Sequence, residues 1–159
     1  MPDGQAPSRT VLVVDDLPEI CAYFQSVLRR LRRFDLQSVT EINSARALDL
    51  LRTRPFDLVI SDFRMREVDG LEVLAVAAAH GSGLRVLMTG YNELPATVER
   101  FQAARIDAIL QKPPRTSEVV ELLNGLLSFD EASLRSWRTK AREAERSLAI
   151  QPSPSVGEA

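Results

Sequence analysis

The sequence predicts an α/β fold, a doubly wound parallel sheet of five strands with five helices on its faces, followed by one extra helix. Three observations predict it. Short apolar runs alternate strictly with segments whose apolar residues recur at helical spacing, over residues 10 to 128. The runs are nearly continuous in apolar residues, as strands buried on both faces are. Residues with chemistry in them fall just after the runs, where such a sheet places its ligand site.

The first strand is read at "TVLVV" (10–14), and its helix carries Ile20, Phe24, Val27, Leu28 and Leu31. Pro18 suits the first turn, where a missing N–H costs nothing. "FDLQSV" (34–39) is more mixed, as an edge strand tends to be. Asn43 is the expected N-cap of the second helix, with Leu48 and Leu51 on its apolar face. "DLVIS" (57–61) is the third strand, followed by a helix bearing Leu71, Leu74 and Ala78 and ending near His80. "RVLMT" (85–89) precedes a helix with Leu94, Val98 and Phe101. "DAILQ" (107–111) leads to the fifth helix, with Thr116 as expected N-cap and Val119, Leu122, Leu123 and Leu126 inward.

Phe129-Asp130 breaks the alternation. From Asp130 to Leu148 a sixth helical segment has no strand before it, and Leu134, Trp137, Ala141, Ala144 and Leu148 recur at steps of three and four. Its five basic and four acidic residues argue against a DNA-reading helix. It can fold back and bury Trp137, or protrude and pair with a second copy or a partner. The seam-like spacing favours protrusion. The expected organisation is a core domain over 9–128, a helical extension over 129–149 and a disordered Pro/Ser-rich tail, "IQPSPSVGEA", over 150–159. No output domain is expected after residue 128.

Composition narrows the function classes. The chain has 159 residues, 45% hydrophobic and 26% charged, which suits one domain with an appendage. A net charge of -2 and a pI near 5.5 point away from a polyanion such as DNA. A single cysteine, Cys21, rules out an internal disulfide framework, fits a reducing cytosol and is expected to pack within a helix. With one histidine as well, His80 at a helix end, a zinc site is not expected. The N-terminus lacks a signal-peptide core, and the longest apolar stretch, Leu71 to Ala79, contains Glu72 and is too short for a membrane span. The expectation is a soluble cytoplasmic protein with no nucleic-acid or membrane partner.

The strand ends carry the functional reading. The first offers Asp15 and Asp16, the third Asp62, the fourth Thr89 and the fifth Lys112. Three carboxylates in one cleft do not all stay ionised unless a cation sits among them. Mg²⁺ binds through one or two carboxylates and keeps open positions for water and phosphate oxygens. Thr89 can donate a hydrogen bond and Lys112 a compact positive charge, both suited to a phosphoryl group. A carboxylate can itself be the nucleophile. These residues point to Mg²⁺-assisted phosphoryl transfer onto an aspartate.

"VLVVDD", "DLVISDFRM…DG", "VLMTGY" and "LQKP", in this order, resemble the receiver domain of bacterial two-component response regulators over residues 9 to 128. The resemblance implies a flavodoxin-like strand order of 2-1-3-4-5. It implies that Asp62 accepts a phosphoryl group from a histidine kinase or phosphotransfer protein. It also implies that Asp15, Asp16, Asp62 and the backbone carbonyl of Arg64 hold Mg²⁺, that Thr89 is the switch hydroxyl and that Lys112 contacts the phosphoryl group across a cis Lys112–Pro113 bond. Signalling to a downstream protein would use the face of the fourth helix, fifth strand and fifth helix, with the extra helix extending that face or forming a homodimer. Two departures stand out. Met65 is followed by Arg66 where the family often has proline, and the switch position three residues before the lysine is Ile109 rather than an aromatic. By the same resemblance, Arg64 and Tyr91 fall at positions where the family varies and where side chains can shield an acyl phosphate from water. Two other readings are a phosphorylation-independent interaction or scaffold module, which Ile109 favours, and a small phosphatase. The absence of an Asp-x-Asp pattern after the first strand counts against the phosphatase.

Overall fold

A computed structural model describes residues 4–90 and 95–149. Its elements run β1 (Ser8–Val14), α1 (Pro18–Arg30), β2 (Asp35–Glu41), α2 (Ser44–Thr53), β3 (Leu58–Asp62) and α3 (Gly70–Ala79). They continue with β4 (Leu84–Thr89), α4 (Val98–Ala104), β5 (Ala108–Gln111), α5 (Thr116–Leu127) and α6 (Glu131–Leu148). The five strands form one parallel sheet in the order β2-β1-β3-β4-β5. The expected fold class and strand order are those observed.

Strand alternation explains why the central strands are apolar throughout. Along β1, Val11 and Val13 point to one face, and Leu12 and Val14 to the other. The first face is covered by Phe24, Val27 and Leu28 of α1 and by Val119, Leu122 and Leu126 of α5. The second is covered by Leu48 and Leu51 of α2, Leu71 and Leu74 of α3, and Phe101 of α4. β2, an edge strand as expected, is only partly buried.

Helix ends follow local chemistry in most places. Pro18 opens α1. Asn43 caps α2, its side chain accepting from the Arg46 N–H. His80 is the C-cap of α3. Two expectations are corrected. Thr116 is not an N-cap but the first residue of α5, after Arg115, which makes no side-chain cap bond. The Thr116 hydroxyl, one position too late to cap, lies 2.9 Å from the Tyr23 hydroxyl, a contact between helices. Val98, expected on the apolar face of α4, is exposed because this short helix turns only Phe101 and Ala104 inward. Tyr91, Leu94 and the 150–159 tail lie outside the described residues.

The sixth helix folds back, contrary to the favoured protruding arrangement. Phe129 adopts a left-handed conformation (φ 53°) that reverses the chain after α5, and Asp130 then caps α6 by accepting from the Ser133 N–H. Gly125 allows the approach, since a Cβ there would stand 2.7 Å from the Ser133 side chain. Leu134 and Trp137 join the core layer of α1 and α5, and Ala141 joins the opposite layer. α6 therefore runs along β5, the other edge strand, and contributes to both faces of the sheet. An edge strand with unpaired backbone groups is a liability that such a cover removes. The buried seam is Leu134, Trp137, Ala141 and Glu145, with Ala144 and Leu148 only half-buried. Among the described residues, no helix is long and apolar enough to cross a membrane.

Candidate functional site

Parallel strands bring all their carboxyl ends to one edge, so residues that follow them meet. Val14 pairs with Ser61, which sets Asp15 beside Asp62. Asp62 pairs with Met88, and Thr89 with Gln111, so Thr89 and Lys112 close the same edge. The Lys112 N–H donates to the Thr89 carbonyl at 2.7 Å, and the Lys112–Pro113 bond is cis.

Asp15 is fully buried, while Asp62 and Thr89 are nearly so. One carboxylate oxygen from each of Asp15, Asp16 and Asp62 lies within 4.8 Å of the others, the spacing of ligands around one cation. Lys112 Nζ stands 2.9 Å from Asp15 Oδ2 and 3.1 Å from Asp62 Oδ1. The other Asp15 oxygen accepts from the Leu17 N–H at 2.9 Å. One ammonium faces three carboxylates, so the cluster retains net negative charge. That excess, carried on oxygen donors, suits a hard divalent ion such as Mg²⁺.

Burial by itself would lower the Lys112 pKa. The hydrogen bond and charge of Asp15, followed by those of Asp62, outweigh it and hold the pKa above the usual lysine value. Cys21, beneath the site, has its thiol pushed up to about 11 by burial and by the Asp15 charge. It packs in α1 as expected and is no thiolate nucleophile near neutral pH. Arg64 is exposed in the loop after β3. Ile109 is half-buried, against the same core layer as Leu148 and Ala149. With Thr89, Lys112, Trp137 and Lys140 it lines a cleft of about 950 Å³ between the acidic edge and α6.

Gly70, within the "DG" that follows Asp62 in the sequence, is a further site residue. A Cβ there would lie 2.0 Å from the Asp62 carbonyl oxygen, and its N–H donates to the Phe63 carbonyl at 2.7 Å. The start of α3 is thus drawn against the Asp62 backbone. The signal was the Asp69-Gly70 pair, where Asp69 caps α3 and the next residue must lack a side chain.

A five-stranded parallel sheet with an acidic trio and a lysine at its carboxyl edge defines a receiver domain. The chain belongs to the response regulator receiver domain family, whose model matches residues 11–124, and so to the signal-transducing proteins of two-component systems. It is similar to the transcriptional regulatory protein ZraR of Klebsiella oxytoca, 32% identical over 102 residues that cover 64% of this chain and 22% of that protein. It is also similar to the transcriptional regulatory protein FixJ of Bradyrhizobium diazoefficiens, 30% identical over 116 residues, covering 72% and 56%. The chain thus spans about a fifth to just over half the length of these relatives. Among solved structures, the signal receiver domain of an HD domain-containing protein from Pseudomonas fluorescens Pf-5 matches with a TM-score of 0.61 and 26% identity, over 80% of this chain and 99% of that one. A CheY-like receiver domain protein from Methanospirillum hungatei JF-1 matches with a TM-score of 0.64 at 17% identity, over 80% and 97%.

Proposed function

We propose that this chain is a phosphorylation-dependent switch that takes a phosphoryl group on Asp62 from the phosphohistidine of a histidine kinase or phosphotransfer protein in the bacterial cytoplasm. The observation that carries the proposal is Lys112 Nζ bridging Asp15 and Asp62 at 2.9 and 3.1 Å. An Asp62 carboxylate oxygen attacks phosphorus, and the phosphorus–nitrogen bond breaks. The electron pair leaves with the imidazole, which takes up a proton. Asp15, Asp16, Asp62 and the Arg64 carbonyl would hold Mg²⁺, which when bound offsets the charge gathered on the phosphoryl oxygens. Thr89 donates its hydroxyl to one of those oxygens, and Lys112 supplies the charge for another. The protein catalyses only its own phosphorylation and dephosphorylation.

The signal would leave through the α4–β5–α5 face to a downstream protein. Because α6 lies along β5 with its apolar seam inward, that helix belongs to the output face, and a homodimer built on the seam is not part of this reading. A second reading, a phosphorylation-independent scaffold, is favoured by Ile109, which has no ring to reorient.

Incubation with Mg²⁺ and acetyl phosphate should add one phosphate, removable by hydroxylamine and lost in Asp62→Asn, as read by intact mass. No adduct would overturn the switch. An adduct that leaves the fluorescence of Trp137 and binding to a partner unchanged would favour the scaffold.

A further inference from the structure

At the amino-terminal ends of β4 and β5, away from the acidic edge, α6 and the α4–β5 turn border an open cleft of about 700 Å³. Five arginines line it: Arg85 from β4, Arg105 from the turn, and Arg135, Arg138 and Arg142 from successive turns of α6. Only two carboxylates, Asp107 and Glu131, share the cleft with them. In a chain of net charge -2 this is a local excess of positive charge.

Part of that charge serves the fold. Arg85 is buried, its Nε donating to the Ala104 and Arg105 carbonyls and one terminal nitrogen to those of Ser82 and Gly83. Asp107 is shared, with one oxygen 3.5 Å from Arg85 and the other 2.8 Å from Arg138 Nε. Arg142 donates to the Ile106 carbonyl and pairs with Glu145. Burial holds the Arg85 guanidinium below the usual arginine range. Asp107 opposes that, while Arg105 and Arg138 add repulsion.

The charges of Arg105 and Arg135 are not used in this way, and that of Arg138 only in part. The side chains of Arg105 and Arg135 make no hydrogen bond or ion pair among the described residues. Arg138 is half-exposed and engages Asp107 through Nε. Arg105 also sits at φ 47°, a left-handed position that strains a side-chain-bearing residue and that glycine usually fills at a helix end.

We propose that this cleft binds a compact polyphosphate, a nucleoside triphosphate or an inorganic oligophosphate, whose oxygens bridge Arg105 on one wall to Arg135 and Arg138 on the other. Guanidinium forks match phosphate oxygens in bidentate fashion. Convergence from two walls fits an anion with oxygens on all sides. An acidic peptide would suit cations strung along one surface instead. The volume lies in the range of small-molecule sites. Because the walls belong to different elements, the ligand also clamps α6 to the domain.

Calorimetric titration of the full chain in EDTA, at low ionic strength, with inorganic tripolyphosphate and with ATP, tests this. The EDTA withholds any cation from the acidic edge. We expect binding that weakens at least tenfold in the Arg105→Ala/Arg135→Ala double variant and is unchanged in Arg29→Ala/Arg30→Ala, which removes two exposed arginines of α1 outside the cleft. Trp137 emission reports that α6 stays docked in both variants. Equal affinity for the two probes assigns the site to the phosphate chain itself, and tighter binding of ATP assigns it to a nucleotide. No binding, equal loss in both variants, or tighter binding of an oligoglutamate peptide than of either probe would overturn the proposal.

Discussion

Lys112 and Asp15 form an ion pair at 2.9 Å in which the carboxylate is wholly buried and the ammonium also reaches Asp62. Removing the lysine leaves carboxylates facing one another with no positive charge between them. Lys112→Met is therefore expected to cost about 3 kcal/mol in urea unfolding without divalent ions, the lower end for a broken buried pair, since the lysine touches solvent. Saturating Mg²⁺ should recover part of that loss; the same destabilisation with and without Mg²⁺ would remove the cation from this site. The raised Lys112 pKa also sets a sign. Its stabilisation is complete below the ordinary lysine pKa and is lost as pH rises through the higher folded value, so the variant should lack that alkaline loss.

Gly70→Ala places a methyl group where the Asp62 carbonyl oxygen already is, 2.0 Å away. The contacted oxygen is backbone and cannot swing aside as a side chain would, so α3 must move off the end of β3. The expected cost is about 3 kcal/mol, the upper part of the overpacking range. Asp62 should also be phosphorylated more slowly by acetyl phosphate. A variant as stable and as fast as wild type would show that α3 moves freely here.

Docking of α6 is readable through Trp137, the sole tryptophan, which is buried against α5 and β5. Gly125→Ala drives a Cβ to 2.7 Å from both Ser133 side-chain atoms. We expect red-shifted emission and a loss of about 1–2 kcal/mol. Adding Ser133→Gly, which removes both atoms, should restore the emission.

Glu145 occupies the inward face of α6, with one oxygen 3.3 Å from Arg142 and the other without a partner among the described residues. Burial raises its pKa, against the lowering effect of Arg142 and Arg146. A carboxyl whose folded pKa is raised binds its proton more readily in the folded state. Its contribution is therefore full below the ordinary glutamate pKa and is lost as pH rises through the folded value. Glu145→Gln should raise the melting temperature at pH 7 and leave it less sensitive to pH in the window above the ordinary glutamate pKa. Matching pH profiles for the variant and wild type would place the sensitivity elsewhere.

Much of the fold and of the site was legible because both depend on local pattern and on strand direction. Asn43 caps α2 because its own side chain reaches the N–H three residues on. Thr116 offered the same local signal, but α5 begins one residue earlier, with Arg115 in the cap position and the Thr116 hydroxyl against Tyr23 of α1. The meeting of Asp15, Asp62, Thr89 and Lys112 follows from chain order alone, since parallel strands have only one carboxyl edge. Gly70 was harder. Its role depends on how closely two backbones pass, and nothing in the spacing of Asp62 and Gly70 sets that distance.

By itself the sequence determined the alternation of elements, their burial on both faces and the acidic edge, all of which follow from periodicity and chain direction. Tertiary structure alone decided what α6 does. A narrow stripe of Leu134, Trp137 and small residues would serve against its own domain or against another. Here the free edge of β5, the Gly125 gap and the Asp107–Arg138 pair favour its own domain. The same docking assembles the arginine cleft, which net charge conceals because acidic residues elsewhere cancel it. Charge sums over the whole chain, whereas an electrostatic site depends on which charges folding brings within a few ångströms of one another.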